Sequence, residues 1–167
     1  MMLSISFKDS VAIQNDIYML TLDDYAPHGV LGGQSRDENP IHWQYAVDII
    51  YRCLVAGFWR IWNSPLLTQN SIVDHEGFCK KLSELSPFEL SEEGEDYWLG
   101  TTLCCTELSL SLVKRFGVNG MVSDDFCEPF VIEVEQEFLK HDVSWSRGSF
   151  FTVKAHRKIK GWQADSQ

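Results

Sequence analysis

The chain has 167 residues, 44% of them hydrophobic, and 14 basic against 24 acidic side chains give it a formal net charge of −10. That length suits one domain able to bury a core without metal or disulfide staples. The sign of the charge argues against nucleic acid or an anionic membrane as a direct partner, because both are polyanions, and favours basic partners.

Leu3, Ile5 and Phe7 alternate and predict a short first strand. From Val11 the spacing changes, and Val11, Ile13, Ile17, Leu20 and Tyr25 fit a helix capped by Asp9 or Ser10 and ended by Pro27, His28 and Gly29. A strand from Ile17 to Leu22 is the alternative. The N-terminus lacks a basic segment followed by an apolar run and a cleavage site, so a cytoplasmic location is expected. Residues 28–39 form a loop by composition. Its Gly32-Gly33 pair is not followed by the lysine that a phosphate-cradling loop needs.

Ile41 to Trp62 carries three of the six tryptophans, and positions 43, 47, 50, 54, 58 and 61 form a helical stripe. Asn39 is a suitable N-cap, Pro40 suits the first helical position, and Asn63-Ser64-Pro65 closes the run. More than one face is apolar, so this helix, about 40–62, is expected at the centre of the core, with Gly57 allowing a close approach. His42, Asp48, Arg52 and Arg60 interrupt it too often for a membrane span.

Asp74 to Leu85 predicts an amphipathic helix with Phe78, Leu82 and Leu85 inward. His75 and Cys79, four apart, share a face, but no second ligand pair accompanies them, and no metal is expected. Residues 86–100 are the most acidic stretch, with Glu89, Glu92, Glu93, Glu95 and Asp96 followed by Tyr97 and Trp98. A solvated surface is the plain reading of such a run, and an acidic docking site anchored by aromatics is the functional one. Thr102 suits the cap of a helix over 103–116, with Cys105, Leu108, Leu112 and Phe116 as its stripe; Leu108, Leu110 and Leu112 also alternate, which leaves a strand open. Pro129 opens a further helix with Phe130, Val134 and Phe138 inward and Glu133, Glu135 and Glu137 outward. Val143–Trp145 and Phe150–Val153 flank Ser146-Arg147-Gly148 as a small hairpin. The domain is then expected to span 1–153. The tail, 154–167, has four basic residues against one acid.

Cys53, Cys79, Cys104, Cys105 and Cys127 are odd in number and scattered, which fits reduced thiols. Cys104 and Cys105 are the best nucleophile candidates, since a helix N-terminus lowers a thiol pKa. No GxSxG, HExxH, Walker-type or EF-hand pattern occurs, and neither a catalytic constellation nor a cofactor is expected.

The run WQYAVDIIYRCLVAGFW, the acidic segment SEEGEDYWLG and the closing EVEQEFLKHDVSW resemble bacterial immunity proteins of contact-dependent growth inhibition (CdiI-type) and wider polymorphic-toxin systems. The resemblance implies a cytoplasmic protein that binds and neutralises one cognate toxin domain, commonly a nuclease. A surface that grips phosphates is basic, and an acidic inhibitor mimics the polyanion. The expected contact residues are Glu92, Glu93, Glu95, Asp96, Asp124, Asp125 and Glu128, with Tyr97 and Trp98 as anchors. The alternatives are a thiol-dependent enzyme using Cys104 or Cys105, and a general adaptor or oligomerisation domain. The expected fold is α+β and mostly helical, packed around the 40–62 helix, with a small antiparallel sheet drawn from the N-terminal segment and residues 143–153.

Overall fold

A computed structural model describes residues 3–68, 74–119 and 125–155. Among them are seven α-helices, two 3-10 segments and one two-stranded antiparallel sheet, so the chain is α+β and mostly helical. No described helix is long and apolar enough to cross a membrane.

Helix α1, Phe7–Leu22, begins where the Ser6 hydroxyl accepts the Asp9 N–H at 3.1 Å. This cap overrides the alternation of Leu3, Ile5 and Phe7: Ile5 is buried, Phe7 is helical and exposed, and no strand forms there. A 3-10 segment, Pro27–Asp37, follows in place of a loop and kinks at Gly32, whose φ is 55°.

Helix α2, Pro40–Ala56, is the predicted central helix, shortened at its C-terminus. Asn39 caps it by accepting the Ile41 N–H at 3.0 Å. Trp43, Val47, Ile50 and Leu54 are buried as the stripe requires, and α2 packs against α4, α7, β1 and the 3-10 segment. Gly57 ends it at φ 84°, the left-handed conformation that stops helices, and a β-carbon there would meet nothing within 4 Å. Its role is a stop and not a close approach.

The chain then runs on as β1, Trp59–Asn63, which pairs antiparallel with β2, Thr102–Cys105, in the register Trp59↔Cys105, Arg60↔Cys104 and Ile61↔Leu103. The small sheet therefore lies at 59–63 and 102–105, outside both predicted regions. Asn63 pairs with Thr102, which leaves Trp62 as an extra residue in a β-bulge. Tyr25 forms an isolated bridge on the other edge of β2.

Helix α3, Pro65–Thr68, is a single turn. Helix α4, His75–Glu84, starts as predicted at Asp74, whose carboxylate accepts the Gly77 N–H at 2.5 Å. Helix α5, Glu92–Trp98, is capped by Ser91. Helix α6, Glu107–Arg115, is capped by Thr106 and not Thr102. The Thr106 hydroxyl donates to Gly57 O at 2.6 Å, and Ser109 Oγ donates to Phe58 O, so α6 satisfies carbonyls left open beyond the end of α2.

Helix α7, Glu128–Lys140, buries Phe130, Val134 and Phe138 completely, as its spacing predicts. Glu135 does not point outward: it is buried, accepting from the Ser144 hydroxyl and from Trp145 N at 3.2 Å. Residues 143–155 form no hairpin. They are a strap with one 3-10 turn, Trp145–Arg147, held against α2 by polar contacts. Three α2 residues a turn apart make most of these contacts. Gln44 donates to Phe151 O and accepts from Val153 N, Asp48 accepts from Ser149 Oγ at 2.8 Å, and Arg52 donates to the carbonyls of Val143, Ser144 and Gly148. The Arg52 guanidinium also lies 4.6 Å from the Trp145 ring centroid and 5.2 Å from that of Phe150. The strap is fixed as far as Lys154, whose N–H reaches Ser83 O at 2.9 Å; residues 156–167, most of the basic tail, lie outside the described residues.

Candidate docking surface on the acidic face

Residues 74–99, covering α4 and α5, hold eight acidic side chains and two lysines, so they account for −6 of the net −10. The two helices pack on each other. Trp98 Nε1 donates to Leu85 O at 2.7 Å, and the Tyr97 ring stacks on Phe78 with centroids 5.5 Å apart. These contacts turn one side of α5 into the core and leave its acids outside.

Glu92, Glu93 and Glu95 are exposed and Asp96 is half-buried. Lys81 donates to Glu93 at 3.0 Å, and that bond holds the ammonium above its ordinary pKa. Glu93 is the only one of the four with an ion pair among the described residues. The three glutamates lie in the first turn of α5, where the helix dipole stabilises negative charge.

Tyr97 and Trp98 are not surface anchors. Trp98 is fully buried and Tyr97 nearly so. A seven-residue helix shows too little periodicity for sequence spacing to orient its aromatics, and their position directly after the acids misleads. Asp125 and Glu128 are exposed, but they precede and open α7, in a segment tied to α1 by Gln14, which donates to Asp125 O and accepts the Cys127 N–H at 2.6 Å. They form a second acidic locus separate in the fold from α5, which packs on α4, α3 and the 3-10 segment. Asp124 lies outside the described residues.

Of the aromatic residues, the structure turns outward one that the sequence assigned to the core helix. Trp62 is 59% exposed, against 2% or less for Trp43, Trp59 and Trp98. Arg60, two residues before it on β1, places its guanidinium 5.0 Å from the Trp62 ring centroid. The signal in sequence was Gly57, because a helix stopped there cannot extend to Trp62.

No family model, curated protein or solved structure matches this chain.

Cys104 and Cys105 lie in β2, with Cys105 directly before Thr106, the N-cap of α6. Burial pushes both thiols up, and among the described residues the charged side chains acting on them are Arg60, Asp24 and Glu107. Cys79 is buried while His75 is exposed, and no group of three metal-ligating side chains is present among the described residues. A cavity of about 110 Å³ beside Leu3, Ile132, Gln136 and Leu139 is lined by Glu135 and Ser144, which are occupied in closing the 144–146 turn.

Proposed function

We infer that the protein is an inhibitory binding protein that docks through the acidic α4–α5 face onto a basic protein domain and blocks it. This is the mode of action of the immunity proteins its sequence resembles. The observation that carries this reading is the concentration of charge on α5: four acids within one short helix, a single lysine partner among the described residues, and aromatic residues turned inward so that every exposed side chain of the helix is a carboxylate. Such a surface accelerates the approach of a basic partner and repels acidic competitors. A basic nuclease-like toxin domain has the matching charge.

The test is to isolate the polypeptide retained by the immobilised protein at low salt and co-express it with native chain or with the E92K/E93K/E95K variant. The native chain should relieve growth arrest caused by that polypeptide. The variant should bind it on the order of 100-fold more slowly at low salt, with a flattened salt dependence. Unchanged binding and unchanged relief by the variant would remove α5 from the interface.

A further inference from the structure

We propose that Trp62, presented by the β-bulge of β1, is the apolar anchor of this docking surface and enters a cleft of the same basic partner. The proposal rests on the reading of the acidic face given above and assigns that face its hydrophobic centre.

The end of β1 and the end of α5 are joined. Ser64 Oγ and Thr101 Oγ1 are 2.8 Å apart, and Thr101 Oγ1 donates to Asp96 O at 2.8 Å. Gly100 lies beside Pro65, where a β-carbon would stand in ordinary contact, 3.4 Å from the proline ring. Leu99, at the α5 C-cap, is 49% exposed. Trp62 and Leu99 therefore flank one hydrogen-bonded junction, and Asp96, whose carbonyl belongs to it, is the last of the α5 acids, with Glu95, Glu93 and Glu92 preceding it along the helix.

Among the described residues, no strand pairs with the edge of β1 opposite β2. Leu103 exchanges both main-chain hydrogen bonds with Tyr25, so Cys104 directs its own toward β1 and pairs with Arg60. Thr106 N donating to Phe58 O keeps the same alternation. The N–H and C=O of Ile61 consequently point away from β2. The bulge adds Trp62 at this edge, and bulges re-aim side chains in this way. Arg60 holds the indole in place by a cation–π contact, which lowers the entropy lost when the ring is captured.

A tryptophan preorganised at this edge and bordered by charge has the composition of an interface hot spot with its polar rim. The neighbouring charge selects the occupant. Arg60 is the charge beside the indole itself, and the acids of the adjoining α5 together with the net charge favour a basic partner over a second copy of this chain, which would bring another −10.

The experiment places a photo-reactive benzoylphenylalanine at position 62, at position 92, or at position 110, an exposed leucine on α6, and irradiates the full chain in its native cells. Positions 62 and 92 should crosslink to one and the same basic polypeptide, and position 110 should not. With that polypeptide purified, Trp62→Ala should raise its dissociation rate at least ~30-fold with little change in association rate, while E92K/E93K/E95K does the reverse. Crosslinking from 92 but not from 62 would overturn the anchor and leave the acidic interface standing. Crosslinking from 62 to a second copy of the chain, or to a polypeptide that is not basic, would also overturn it. Silence at both positions would remove the interface and the anchor together.

Discussion

On α2, Asp48 is half-buried among Gln44, Arg52 and Ser149, whereas Glu92, Glu93 and Glu95 on α5 stand in water with one lysine between them. Burial drives the Asp48 pKa up to about 6 against the pull of Ser149 and Arg52. The same functional group is spent in one place and unspent in the other. Charge inside a fold is costly unless each donor and acceptor is matched, so Asp48 and Arg52 are committed to holding the strap. Carboxylates that make few internal contacts contribute little to stability and can be selected for what they meet outside.

The sharpest break in that comparison is Arg52→Ala. It deletes the three carbonyl contacts to the strap, a fourth to Asp48 O and the cation–π contacts to Trp145 and Phe150, and leaves Val143 O and Gly148 O without the Arg52 donor. The expected loss is ~3–5 kcal/mol by urea denaturation. A loss below ~1 kcal/mol would show that the strap is held by other means.

Asp16→Asn tests the cost of internal charge. Burial raises the Asp16 pKa to about 7, opposed by the hydrogen bond from Tyr45 Oη at 2.7 Å. A carboxyl whose folded pKa is raised contributes stability that is fully present below its unfolded pKa and lost as pH rises through the folded value. Relative to the native chain, the asparagine variant should therefore gain stability between about pH 4 and pH 8, by up to ~4 kcal/mol at ~1.4 kcal/mol per pKa unit. A parallel pair of stability-versus-pH curves would contradict this.

Thr106→Ala removes the α6 cap and the donor to Gly57 O, and should cost ~1–2 kcal/mol in the same measurement. At the small end, E92K/E93K/E95K should leave stability within roughly 1 kcal/mol, its effects confined to partner association. A large destabilisation would mean that the α5 acids belong with Asp48 and not opposite it.

The parts legible in sequence are those set by local chemistry. Asn39-Pro40 and Asp74 mark their helix starts correctly, and the Phe130/Val134/Phe138 spacing gives the buried face of α7. The acids of α5 were legible as a charge run. What escaped depends on partners distant in sequence. Trp59–Asn63 continues an apolar run, and its strand identity comes from pairing with residues about forty positions later. Glu135 follows the outward-facing pattern of its neighbours but is drawn inward by the 144–146 turn, which periodicity cannot see. Tyr97 and Trp98 are oriented by Phe78 and Leu85 O, contacts that no spacing within 92–98 encodes.

The strap over α2 also bears on how the molecule matures. Gln44 and Arg52 bond to strap residues 91 to 109 positions away, so their polar groups stay hydrated until the strap has left the ribosome. Contacts of such separation close late and slowly. Until they do, an emerging chain presents α2 with the tryptophan and phenylalanine rings of the strap not yet in place, the state in which a nascent chain is most open to chaperone capture.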